Sequence, residues 1–233
     1  MLVVVATYGD AMRSIIVGGI AAAVLTVALA GCAGAGSTPD APASPGASDT
    51  PTAPAAPVGT GADAQARLAD LPMPSATEPV LAIGTVLEQE GGAILCVGPV
   101  AESAPPQCAG PELVGWDWAA FDREETGGVR WAQRVAVEGT YDAQAQRFTP
   151  TGEPMSAAAI QLPAVEVPQG SLDDATLESV QSDLWSLERP DFLSSAGERG
   201  ILVLNVAYDD GSIQAALDDI YGPGVVFVVS AMR

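Results

Sequence analysis

Few side chains in this chain could carry chemistry. There are three cysteines, no histidine, and 29 acids against nine bases. Without an imidazole, neither a Ser-His-Asp nor a Cys-His arrangement can be assembled, and histidine-ligated zinc is excluded. Paired carboxylates can hydrolyse glycosides when two of them sit in unequal environments, but no spacing among the acids picks out a pair. The densest acidic steps are Asp173-Asp174, Asp209-Asp210-Gly211 and Asp218-Asp219. Calcium needs about six to eight converging oxygens, and the loop pattern D-x-[DN]-x-[DN]-G does not occur. Two of these steps precede expected helices, where acids favour the helix dipole without any metal. No catalytic residue, metal or cofactor is therefore assigned.

The cysteines are more informative. Cys32 ends an apolar run, Ile15 to Ala30, interrupted only by Thr26 and preceded by Arg13. Such a run has the size of a signal-peptide core with a small-residue approach to a cleavage site. The sequence Leu29-Ala30-Gly31-Cys32 reads as a lipobox and resembles bacterial lipoprotein signals, which implies cleavage behind Gly31 and acylation of Cys32. Residues 1–31 are then the signal. Asp10 and the lack of an earlier cation fit a signal badly, so the start is placed at Met12. An uncleaved transmembrane helix is the alternative, and both readings put the remainder outside the cytoplasm. Under the first, acyl chains hold the protein to the outer face of the membrane.

Removing residues 1–31 takes away one acid, Asp10, and one base, Arg13, so the remainder keeps the formal charge of −20. A surface this acidic repels phosphate backbones and anionic headgroups, which excludes nucleic acid as a partner. Lipidation of Cys32 leaves Cys96 and Cys108 as an even pair in an oxidising compartment, and a disulfide is expected. Two free thiols or a metal pair would be the alternative, although two sulfurs do not make a coordination shell.

These groups must be held by the rest of the chain. Residues 32–76 are dominated by Ala, Pro, Gly, Ser, Thr and Asp without apolar periodicity and read as a disordered tether. A coil of that length spans about 35 Å. Residues 77–163 read as a β domain: Pro79–Leu87 and Ala93–Val97 around a Gly91-Gly92 turn, an extended Glu112–Trp118, and Val129–Tyr141 with Arg147–Thr149 returning after a turn at 142–146. A small antiparallel barrel or sandwich is expected, OB-like as the single best guess.

Residues 164–233 change to helix and strand. Ser171 with Asp174 resembles a capping box ahead of Leu177, Val180, Leu184 and Leu187. Ile201–Val206 reads as a buried strand, Ile213 to Tyr221 as a helix stopped by Gly222-Pro223-Gly224, and Val225–Val229 as a strand parallel to the first. The fold class is thus α+β, with a β domain followed by a helix and a β-α-β unit.

The most distinctive stretch is Pro105-Pro106-Gln107-Cys108-Ala109-Gly110-Pro111 followed by Gly115-Trp116-Asp117-Trp118. It resembles a motif of uncharacterised cell-envelope lipoproteins of high-GC Gram-positive bacteria. Weaker similarity runs through Val137–Asp142 and Leu204–Val206, and the resemblance implies no activity. The terminal strand here lacks the cysteine of many such relatives, so no second disulfide is implied. On a strand, Trp116 and Trp118 share one face and Asp117 takes the other. Exposed, the indoles would stack on sugar rings or a peptide; buried, they would close the core beside the disulfide. The expectation is a non-enzymatic binding or structural module of the cell envelope with a protein or glycan partner. Its alternatives are a modulator or inhibitor of an exported enzyme, and a carboxylate-based hydrolase.

Overall fold

The computed structural model describes residues 59–233, all within one compact unit. The signal, Cys32 and the first part of the expected tether lie outside the described residues. The chain begins with a short helix, α1 (Ala62–Leu68), then runs through β1 (Ala76–Gln89), β2 (Gly92–Cys96), β3 (Glu112–Leu113), β4 (Glu124–Thr126), β5 (Val129–Asp142), β6 (Arg147–Pro150) and β7 (Met155–Ser156). An irregular connection leads to α2 (Asp174–Trp185), β8 (Phe192–Glu198), β9 (Ile201–Val206), α3 (Ser212–Tyr221) and β10 (Val226–Ser230).

The first seven strands form one sheet in the order β1-β2-β3-β6-β5-β4, with β7 also on β5 and β1 returning to pair with β5. The α+β class holds, and hydrogen bonding runs around the sheet like a ring, but it is not the expected barrel. Closure is weakest at β3, where two residue pairs, Glu112–Arg147 and Leu113–Phe148, make a parallel contact with β6. Inside the ring pack Ala82, Val86, Leu95, Val135, Val137, Tyr141 and Phe148. Gly139 belongs to this interior because a Cβ there would run into the Phe148 ring and the Thr149 carbonyl.

Near the middle of β5 the alternation breaks. Gly84 pairs with Val135 and Val86 with Ala132, so Gln133 and Arg134 together oppose Thr85 in a β-bulge. Arg134 takes φ 56°, a left-handed conformation rare for a side chain of this size. The bulge turns two consecutive side chains, Gln133 and Arg134, to solvent.

The second sheet has the order β10-β9-β8, with β9 and β10 parallel as the β-α-β spacing required. Strand β8 was not foreseen. It pairs antiparallel with β9 through a tight turn at Arg199-Gly200, both with positive φ, of the kind a two-residue hairpin uses. On α2 the cap is Asp173, which accepts from Thr176 N at 2.8 Å, and not Ser171, because the helix starts two residues later than the capping-box reading implies. Asp209 and Asp210 likewise accept from the N–H groups of Ile213 and Ser212 at the start of α3. These acids therefore serve as helix caps. Both outer edges of this small sheet are met by glutamines: Gln214 holds Val226 O and Val228 N of β10, and Gln181 donates to Ser195 O of β8. Such side chains occupy backbone groups that would otherwise recruit another strand.

Residues 59–76, the last part of the expected tether, hold α1 and the first residue of β1. Ala64, Leu68 and Leu71 are buried against Leu177, Val180, Leu184, Leu217 and Tyr221 of the two long helices. Three apolar residues at helical spacing in an otherwise polar, Ala-rich stretch are a weak signal alone, and a seven-residue helix is stable only when packed. The buried carboxylate of Asp183 accepts from Gly61 N at 2.9 Å, and Arg67 donates to the Asp219 carbonyl at the end of α3.

The two sheets are joined covalently and by packing. Arg189, with a side chain 10% exposed, pairs with Asp191 at 2.6 Å and donates to the Leu71 and Pro72 carbonyls. The C-terminal residues run onto the ring, where Arg233 and Leu81 exchange two backbone hydrogen bonds and Met232 is fully buried among the ring's interior residues.

Candidate binding site

Cys96 and Cys108 stand at disulfide distance, with Cα atoms 6.0 Å apart. They pin the Pro-rich loop 98–110 against the ring. Gly110 of the Pro-Pro-Gln-Cys-x-Gly stretch is required there, since a Cβ would collide with the Leu95 carbonyl oxygen. The indole beside this pair is Trp131, which packs with Leu87 and Cys96 in a small cluster completed by Val100, Cys108 and Val129. Trp116 and Trp118, which the buried alternative placed beside the disulfide, pack instead against the ring's interior residues.

Trp116, Asp117 and Trp118 do not lie on a strand. Strand β3 ends at Leu113, Gly115 takes φ 68°, and the Asp117 carboxylate accepts from Ala119 N at 2.8 Å, opening a 3-10 turn over Trp118–Ala120. An aspartate that caps its own neighbours competes with extended backbone, and a left-handed glycine releases the chain from the sheet. The two indoles still meet, edge to face with ring centroids 5.7 Å apart, and Phe121 joins Trp116 at 6.2 Å. All three are half-buried against the ring's interior. The cluster is therefore neither a pair of open stacking platforms nor part of the fully buried core. The Trp116 indole N–H is enclosed without a hydrogen-bond partner among the described residues.

One face of Trp118 is taken. The Arg130 guanidinium lies 5.4 Å from the ring centroid, at cation–π range, and is bound in turn by both oxygens of Glu88. Arg130 on the carboxylate holds the Glu88 carboxyl below the usual range, as a fixed guanidinium hydrogen bond does. Arg123 donates to the Trp118 carbonyl at 2.9 Å and ties the turn to the start of β4.

Beyond Phe121 the surface opens into a groove of 860 Å³ lined by Phe121, Asp122, Arg123, Glu125, Gln133 and Met155, among others. Its position follows from the sheet. The outer edge of β5 carries β4 as far as Trp131 and β7 from Val135 onward, leaving 132–134 without a strand on that side. Sequence reasoning missed this groove because it did not recognise β4. The signal was Gly127-Gly128, a two-residue hairpin turn with both φ positive between Glu124–Thr126 and Val129–Trp131. Among the described residues no three Asp, Glu, Cys or His side chains converge as a metal site would require. Comparison of the chain with family models, with curated proteins and with solved structures found no match in any of the three.

Proposed function

We propose that this protein is a non-enzymatic binding module of the cell envelope, held outside the cytoplasm by acyl chains on Cys32. The observation that carries the binding reading is the half-buried Trp116-Trp118-Phe121 cluster bordering an open groove. Half-buried aromatics beside a concave surface are where binding energy concentrates. Two of the acids beside the cluster serve structure, since Asp117 caps a turn and Glu88 binds Arg130. A modulator of an exported enzyme would present an exposed apolar loop at Trp116, whereas that indole is half-buried.

Anchoring rests on the Leu29-Ala30-Gly31-Cys32 pattern, and an extracytoplasmic location is supported by Cys96 and Cys108 standing at disulfide distance. An OB-like identity for the ring belongs to the same proposal. It is supported by a five-strand circuit β1-β2-β3-β6-β5 in which β3–β6 is the parallel step.

The test is capture from cross-linked envelopes with the wild-type chain and with Gln133→Trp, which fills the groove from an exposed position. Material recovered by the wild type and lost by the variant supports the reading. Identical recovery with both proteins refutes it. Intact mass of the membrane-extracted protein should begin at an acylated Cys32, and a soluble product with another terminus would remove the anchor.

A further inference from the structure

We infer that the groove at the β5 bulge is a binding trough for a neutral, hydroxyl-rich glycan chain. This inference rests on the binding-module reading and names its ligand class. Three observations favour a glycan over a charged ligand. The first is the mixed sign of the lining: Asp122 and Glu125 face an anion with repulsion, while Arg123 opposes a cation in the same space. In a chain of net charge −20, any anionic ligand meets the further barrier of the whole surface.

The second is the chemistry of the walls. Phe121 and Met155 supply apolar surface suited to the C–H face of a sugar ring, beside the planar polar groups of Gln133, Asp122, Glu125 and Arg123. A polyhydroxyl ligand needs donors and acceptors interleaved over a short distance. An amide, two carboxylates and a guanidinium provide both, and the uncovered 132–134 edge of β5 adds backbone groups.

The third is the bulge. A left-handed Arg134 is costly in a strand, and its consequence is that Gln133 lines the groove from a position that a regular strand would not offer. Gln133 and Glu125 are exposed, and Glu125 stands opposite Arg130 across the β4–β5 pair. Both are therefore available to a ligand, and both can be substituted without disturbing the core.

The experiment is calorimetric titration of the full chain with cello-, malto- and chito-hexasaccharides, with a lysine oligomer as the cationic probe. The expected result is that at least one hexasaccharide binds and that added salt barely changes its affinity. Gln133→Ala and Glu125→Ala should each weaken binding by about tenfold, the scale of one or two lost hydrogen bonds. Circular dichroism should show both variants folded. Absence of binding to every hexasaccharide would overturn the glycan assignment, as would salt-sensitive binding of the lysine oligomer alone. Either result leaves the module reading standing if envelope capture still depends on Gln133, so the two failures are distinguishable.

Discussion

The C-terminal tail offers the sharpest test of how the two sheets are held together. Met232 is fully buried inside the ring, although it follows β10 of the other sheet by only two residues. Its N–H donates to the Ala207 carbonyl at 3.0 Å, and Arg233 exchanges backbone hydrogen bonds with Leu81 of β1. Met232→Ala keeps the backbone bonds and removes three heavy atoms from a closed site. Large-to-small changes of this kind cost about 2–5 kcal/mol, and the middle of that range is expected. With a urea slope of about 2 kcal/mol/M, about 3 kcal/mol lowers the midpoint by about 1.5 M. Deleting residues 232 and 233 also removes the three backbone bonds, at about 1 kcal/mol each. The total of about 6 kcal/mol rivals the whole stability of many domains.

The assay should separate the two sheets. In a Trp185→Phe background the remaining indoles, Trp116, Trp118 and Trp131, report only on the ring, while far-UV circular dichroism follows α2 and α3. Both signals should move together on Met232→Ala, since the tail belongs to one cooperative unit. A cost below about 1 kcal/mol would refute the packing argument. A fluorescence midpoint that falls while the helical signal stays in place would refute the coupling.

Three further outcomes are expected. Arg189→Met should destabilise by about 3–5 kcal/mol because it strands the buried Asp191 carboxylate, and Arg189→Met/Asp191→Leu should recover most of that loss; equal instability of single and double variants would contradict it. Cys108→Ser should cost about 3 kcal/mol by freeing a closed loop in the unfolded chain, and should alter Trp131 emission; an unchanged midpoint under oxidising conditions would show that the bond is not formed. Stability should also fall at both pH extremes. The Asp173 and Asp210 carboxyls are held below their ordinary range by hydrogen bonds at Thr176 and Ser212, so their contribution is present at neutral pH and lost as pH falls below about 4. Burial pushes the Tyr141 and Tyr221 phenols up, so their contribution is present below about pH 10 and lost as pH rises through their higher folded values. Melting temperatures of Asp173→Asn/Asp210→Asn should show a flatter acid limb, and an unaltered limb would exclude the caps as its cause.

Elements set by local pattern were legible in the amino-acid sequence. The 3.6-residue spacing of Leu177, Val180 and Leu184 and of Ile213, Leu217 and Tyr221 specified two helices, and an apolar run on each side of α3 specified the parallel pair β9–β10. The α+β class and the pairing of Cys96 with Cys108 follow from the same kind of information. What only the tertiary structure decided depends on partners distant in the chain. Helix α1 is too short to persist without α2 and α3 beneath it. Strand β8 is polar enough to read as a loop until β9 lies beside it. The Trp116-Asp117-Trp118 segment leaves its strand because Gly115 and Asp117 favour a turn, so face assignment by alternation failed there. The groove exists because a bulge in β5 coincides with the gap between β4 and β7, a register relation between segments that no local spacing encodes.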